Sequence, residues 1–445
     1  MHATEVFGQF ASRYQRTELP DTVIHHAKRA VIDWYASLFP GLGCAPLAQL
    51  EQVLAEDLDR GSCRLGNGRM ATARAAALFN GSAAHAAEVD DSFRDAMYHP
   101  GAATIAAALA ASQQAGAGGL DFLRAVVLGY EVSTRIGVTL GRAHYRFWHN
   151  TGTVGVFGAA AAAGYALRLD AGPFAHALAT AATFSAGLQQ AFRMDSMSKP
   201  LHAGRAAEAG LLAAQLAHRG VTGSLDVLEG ESGLGRAVSD GPDWSGIGDT
   251  LGRDFHITRL TFKNHVGCGH TFAAIDAALA LRSQHALRAD DICSVAVATY
   301  GPALDIACYT DPVTENEARF SLRFVVATAL VHGSVRMSAY TPERLADPAV
   351  RAMLERVQVS VDPQIDRAFP GKRSARLEIV ARDGRRHVWL QPDRKGDPEL
   401  PLSDGELEDK FMELAAPVAG AGRALQLLSN IWGLERASCL RGLAV

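Results

Sequence analysis

GTVGVFGAAAAAGYALRL, residues 152–169, decides the reading of the fold. Alanine is the strongest helix former and glycine lets neighbouring backbones approach closely. The run lacks the density of Leu, Ile and Phe that makes insertion into a bilayer favourable. It therefore reads as a helix buried inside a soluble protein, and its surroundings read the same way.

From about Asp21 to His218 the chain runs in Ala- and Leu-rich segments of helical spacing, punctuated by Gly and Pro, with no alternating strand among them. Asp21 reads as the cap of a helix through Trp34, and Ala102–Gln114 and Asp121–Ile136 read as further helices. The pattern changes after Lys263. Ile292–Tyr300 alternates, and Leu377–Leu390 reads as two short strands joined at Asp383-Gly384, a hairpin signal. Between them, Ala318–Val331 and Pro348–Val357 have helical spacing. Beyond the Pro-rich stretch Pro392–Pro401, Ser403 or Asp404 caps a helix with Glu406 and Glu408 in its first turn, and a last helix covers Ala424–Trp432. The expectation is a mainly α protein. A large all-helical domain covers 1–262, a smaller α+β domain covers 263–398, and a C-terminal tail, 399–445, returns to the helical domain.

The 445 residues carry 43 Lys and Arg against 47 Asp and Glu, a formal charge of −4. No basic stripe tracks a phosphate backbone, so nucleic acid is not expected as a partner. The opening MHATEVFGQF has neither an apolar h-region nor a small-residue cleavage site, and a cytoplasmic protein with no membrane partner is expected. Six cysteines are scattered without a CxxC pair, which fits reduced thiols and offers neither a zinc ribbon nor the grouped thiolates of an iron–sulfur cluster. No GxGxxG or GxxxxGK[ST] loop occurs, and in GESGLG the glycine directly after Ser232 rules out a nucleophile elbow. Neither a metal nor an organic cofactor is expected.

Sixteen histidines remain to be explained, and several fall in four polar segments that interrupt apolar sequence. HAAEVDDSFRDAMYHPG brings Glu88, Asp90, Asp91 and His99 together. WHNTGTVGVFG places His149 and Thr151 ahead of the Gly/Ala helix, where unsatisfied backbone N–H groups favour an anion. MSKPLHAGRAAEAG spaces Lys199, His202 and Arg205 by three, three cations suited to a multiply charged acid. TFKNHVGCGHTF carries Lys263, His265, Cys268 and His270 where the two halves of the chain meet, a favoured place for a ligand. Each segment also has a plainer reading, as a helix cap, a satisfied buried polar group, a loop or a solvated helix face.

These segments, with IDWYASL, GYEVSTRIG, VLEGESG, GCGHTFAAIDAA, EARFSL and PLSDGELEDKF, resemble in order and spacing the MmgE/PrpD family of 2-methylcitrate dehydratase, cis-aconitate decarboxylase and iminodisuccinate epimerase. The resemblance implies an all-helical domain with a smaller α+β lid, a homodimer, and an active site between the domains that needs no cofactor. Positions matching the family's functional ones are Glu88, Asp91, Ser92, His99, His149, Lys199 and Lys263. Three positions depart from its pattern. Glu88 stands where aspartate is common, Cys268 where decarboxylating relatives carry histidine, and Phe324 where several members carry tyrosine. The function this implies is a cofactor-independent hydro-lyase of the 2-methylcitrate dehydratase type acting on a small polycarboxylate. An iminodisuccinate epimerase-like isomerase, a decarboxylase and a non-catalytic binding relative are the alternatives. Carbanion character beside a carboxylate needs cations to stabilise it. His99 and His149 are the expected acid and base, oriented by Asp91, with Glu88, Ser92, Lys199, His202, Arg205, Lys263 and Cys268 around the substrate.

Overall fold

The computed structural model describes residues 1–194 and 196–444. The chain divides into two compact units, Met1–Thr261 with Ser403–Val445, and Phe262–Leu402. Among the described residues no helix is long and apolar enough to cross a membrane, and all six cysteines are unbridged.

The first unit is built from helices Ala73–Ala86, Pro100–Ala115, Gly119–Tyr145, Gly155–Ala166 and Lys199–His218, packed on one another. Small residues set their spacing. A Cβ added at Gly158 would lie 2.3 Å from Thr104 Oγ1, and one at Gly204 would lie 2.1 Å from Leu78 O. Such approaches leave no room for a side chain, so the Ala- and Gly-rich composition is a packing requirement of this core. Phe157 and Ala159 to Ala163 are fully buried, as the opening stretch of sequence demanded.

Several boundaries differ from expectation. The helix beginning at Asp21 runs to Gly41, past Trp34, and its cap residue is Pro20, with Asp21 in the first turn, where a carboxylate favours the helix N-terminus. The helix Gly119–Tyr145 extends well beyond Ile136 and changes direction at Gly141, whose φ of 66° only glycine adopts readily. The unit is also not purely helical. Leu58–Arg64 pairs antiparallel with Met70–Ala71, around an Asn67-Gly68 turn with Gly68 at φ 88°. That ribbon is too short and too exposed to alternate visibly in sequence.

The C-terminal segment joins this unit through helix Asp404–Ala419, packed on Asp21–Gly41. Ser403 caps it by accepting from the Glu406 N–H, and the Glu406 carboxylate returns to Ser403 N, a capping box. Lys410 on this helix is buried. Its ammonium donates to Asp33 Oδ1 at 2.6 Å and to Val89 O at 2.8 Å, two residues before Asp91.

The second unit holds a four-stranded sheet in the order Val357–Val361, Ile292–Thr299, Ala375–Ala381, Arg386–Gln391. The first pair is parallel and the others antiparallel. The last two strands form the hairpin at Asp383-Gly384, with Gly384 at φ 84°. The helix expected over Pro348–Val357 stops at Leu354, and Val357 instead opens the strand Val357–Val361. Its parallel pairing with Ile292–Thr299 requires a long crossover, here supplied by helices including Leu322–His332 and Pro348–Leu354. The expected helix Ala318–Val331 is two helices, Glu315–Arg319 and Leu322–His332, each with its own Thr314 or Ser321 cap.

Candidate functional site

In the first unit, three of the polar segments converge. Helix Ala73–Ala86 ends beneath Glu88, which sits in the left-handed region at φ 61°, and Met97 does the same at φ 52°. Non-glycine residues occupy that region at a cost and mark tightly constrained turns. The loop between them carries Asp90, Asp91 and Ser92, and delivers His99 to the start of helix Pro100–Ala115.

Asp91 is buried and its carboxylate is fully engaged. Oδ1 accepts from Gly101 N at 3.0 Å, satisfying one of the exposed N–H groups of that helix start, and Oδ2 accepts from the Tyr130 hydroxyl at 2.7 Å. Burial, with the Asp33 charge adding to it, pushes its carboxyl up to about 8 against those two hydrogen bonds. Asp91 meets His99 through its main chain, not its carboxylate: His99 Nδ1 lies 2.7 Å from Asp91 O. A carbonyl only accepts, so Nδ1 carries the proton and Nε2 is the basic nitrogen of the neutral ring. The carboxylate beside His99 is that of Asp90, with Oδ2 at 3.4 Å.

Asp90 also binds His85, the member of the group that sequence reasoning passed over. His85 Nδ1 lies 2.7 Å from Asp90 Oδ2, and both side chains are buried. The His85 ring stacks on His149 with centroids 5.4 Å apart, and lies 5.0 Å from that of His99. The sequence signal for it is a histidine in the last turn of an otherwise Ala-rich helix, five residues before an aspartate. Among the described residues, His85, Asp90 and His99 also form a group whose ligand atoms all lie within 4.8 Å of one another.

His149 is 3% exposed. It does not stand directly before the Gly/Ala helix; a four-residue helix, Asn150–Thr153, intervenes, and the longer helix starts at Gly155. Its backbone N–H donates to Gly187 O at 3.0 Å and its side chain makes no cap bond. Instead its Nδ1 meets His202 Nδ1 at 3.0 Å, and its ring edge packs on Phe192 at 4.8 Å. Burial, then the neighbouring His85, Lys199, His202 and His99, hold His149 well below the ordinary imidazole value, and burial lowers His202 as well.

Helix Lys199–His218 supplies His202 and Lys199. The Lys199 ammonium pairs with the Glu88 carboxylate and lies 5.0 Å from the centre of the Phe192 ring. Arg205, expected beside them, is instead exposed and paired with Glu208. Ser92 is held by main-chain bonds with Thr261, each N–H donating to the other's carbonyl at 2.9 Å.

Lys263 and Cys268 belong to the second unit and are both buried there. Cys268 N donates to Arg319 O at 3.0 Å. In the same segment His265 Nε2 meets Asp276 Oδ1 at 2.7 Å, and His270 Nδ1 meets the Tyr300 hydroxyl at 2.9 Å. Burial, with Arg373 and Arg394 nearby, drops His270 to about 3. Phe324 is fully buried. A surface hollow of about 520 Å³ lined by Val6, Arg13, Glu229 and Trp244 lies apart from all these groups and gathers no comparable chemistry.

The first unit thus holds four imidazoles, three acids and an ammonium in one place, with the means to move a proton and to bind an anion. The sequence model of the MmgE/PrpD N-terminal domain matches residues 5–247, and that of the MmgE/PrpD C-terminal domain matches 265–434. The cis-aconitate decarboxylase-like protein oryM of Aspergillus oryzae is 26% identical over 98% of the chain and 95% of its own length. The cis-aconitate decarboxylases of Mus musculus and Homo sapiens are each 27% identical, over 97% and 98% of the chain and 90% and 93% of their own lengths.

Proposed function

The chain belongs to the MmgE/PrpD family, and from that premise we propose that it is a lyase acting on a small di- or tricarboxylate by proton transfer at the carbon beside a carboxylate. The observation that carries the reading is the clustering of His99 and His149, the one with its Nε2 left basic by Asp91 O and the other kept neutral by burial, beside the Lys199 ammonium. Neutral imidazoles take protons at pH 7, and an ammonium in a partly buried site binds a carboxylate and stabilises charge that develops next to it.

Loss of carbon dioxide from cis-aconitate is the first reaction to assay, because the relatives similar over nearly the whole chain carry that name. In it the C–C bond to the leaving carboxylate breaks, its electron pair passes into the remaining carbon chain, and a ring N–H supplies the proton there, replaced from solvent. Elimination of water from a citrate-like acid, the 2-methylcitrate dehydratase type of reaction, is the second reading. It needs a base for the α-proton and an acid for the departing hydroxyl at once, which two histidine centres can provide. Incubating the protein in deuterated water with di- and tricarboxylates, read by NMR and carbon dioxide release, tests both. Deuterium beside a carboxylate is expected with at least one acid; none with any of them, from folded protein, would sink the proposal.

The reading gives the proton transfers to side chains alone, so activity should survive a chelator. Loss on chelation with recovery by one divalent metal would instead assign His85, Asp90 and His99 as its ligands.

A further inference from the structure

His149 and His202 come from different parts of the chain, yet their Nδ1 atoms face each other at 3.0 Å. The contact is built in. Gly187, at φ 127°, accepts the His149 N–H through its carbonyl, and a Cβ on it would lie 3.1 Å from His202 Nδ1. A Cβ on Gly152 would meet Ala186 O at 2.4 Å and His202 Cβ at 3.2 Å. Both glycines keep the His202 ring against His149 where a larger residue would displace it.

Two neutral imidazoles joined Nδ1 to Nδ1 must be opposite tautomers, since one nitrogen donates and the other accepts. The groups facing the pair that favour neutrality are His85 from helix Ala73–Ala86, Lys199 one turn before His202 and, for His149, His99 from the start of Pro100–Ala115; the Glu88 carboxylate on Lys199 works against them. A buried ring with Nδ1–H has its Nε2 lone pair ready as a base. The partner, half-buried rather than buried, then carries Nε2–H near solvent.

We propose that His149 and His202 are a proton-relay pair, in which His202 is the positioning residue that fixes the tautomer of His149 and passes its proton to water. This rests on the proton-transfer role given above to His149. His149 Nε2 takes the proton from carbon and the C–H electron pair stays on the substrate. The His149 Nδ1–H proton moves to His202 Nδ1, and the His202 Nε2–H proton leaves to water. One proton has crossed from substrate to solvent, and both rings end neutral with tautomers exchanged. Run backwards, the same steps deliver a proton to carbon.

Two measurements test the pair. In substrate-free protein with ¹⁵N-labelled histidine, assigned with His149→Gln and His202→Gln variants, NMR should show one ring protonated at Nδ1, the other at Nε2, and coupling between the two Nδ1 atoms. Two Nε2–H rings without that coupling would overturn the proposal, whatever acid the enzyme uses. With cis-aconitate as probe, His202→Ala should lower kcat by roughly ten- to a hundredfold, leave KM nearly unchanged, and regain rate on adding imidazole. A raised KM at unchanged kcat, or a kcat loss that imidazole does not repair, would show that His202 only binds or packs. No turnover of cis-aconitate by the unaltered enzyme counts against that substrate, and the tautomers then decide the pair alone.

Discussion

Replacing His149 by Gln separates chemistry from structure at the centre of the site. A proton-transfer group contributes about a hundredfold to ten-thousandfold in rate, equivalent to roughly 2.7–5.5 kcal/mol of barrier. The structural cost is smaller and of known origin. His149 makes no side-chain cap bond, so the loss of a helix cap does not enter. What goes is a bond to His202 at 3.0 Å and ring contacts with His85 and Phe192. Gln retains a polar group of similar reach, so about 1–3 kcal/mol of stability should be lost. Melting temperature and solvent-deuterium exchange into the substrate are measured on the same preparation. Folded protein with exchange reduced by two to four orders of magnitude is expected. Exchange within about fivefold of the unaltered enzyme, a barrier change near 1 kcal/mol, would remove His149 from the catalytic machinery.

Glu88→Gln releases the Lys199 ammonium from its carboxylate, so a polycarboxylate should bind more tightly and KM fall by roughly three- to tenfold, about 0.6–1.4 kcal/mol; an unchanged or raised KM would mean that Glu88 serves the substrate itself. Lys410→Met removes two buried bonds of the ammonium, to Asp33 Oδ1 and to Val89 O, and should cost about 3–5 kcal/mol in chemical denaturation; a loss under roughly 1 kcal/mol would show that the tail does not hold the loop before Asp91. His149, His202, His256 and His270 are all held below the ordinary imidazole value, His256 and His270 to about 3. The unfolded chain therefore binds more protons than the folded one below pH about 6.5. The contribution of these rings should be full above that pH and fall as the pH drops towards about 3, while Asp91, raised to about 8, works in the opposite sense; the rings are therefore read from the stability difference between the unaltered protein and a His256→Asn variant, and a difference that does not change across this window would contradict the burial of His256.

Much of the fold could be read from sequence because its signals are local. Residues 155–166 form a buried helix whose Ala and Gly content is itself the packing interface, and the Asp383-Gly384 hairpin and the Ser403 capping box are written in short motifs. The misses have physical causes. Val357–Val361 is a strand because Ile292–Thr299 offers it a parallel partner more than fifty residues earlier, and no window around residue 357 contains that fact. Leu58–Arg64 pairs with a strand of two residues, too brief for its alternation to register.

The site was legible as a set of segments and illegible as a geometry. Spacing by three suggested that Lys199, His202 and Arg205 share a face, but six residues along a helix of 3.6 per turn is a rotation of about 240° beyond the full turn. Arg205 accordingly pairs with Glu208 on the exposed side while Lys199 and His202 stay together. Asp91 stood ahead of Asp90 only through the family resemblance, because adjacent acids cannot be ranked from composition. The backbone decides between them, sending the Asp91 carboxylate to Gly101 and Tyr130 and leaving Asp90 to His85 and His99. His85 itself lay inside a quoted segment and carried no sign of importance there. Its place in the cluster follows from helix Ala73–Ala86 ending where His99 and His149 also arrive, so that the buried His149 is surrounded by other rings and held well below the ordinary imidazole value. The neutrality of His149 and His202 is the physical reason to expect proton acceptors at neutral pH here, and it depends on positions 85, 99, 149 and 202, which only the folded chain brings together.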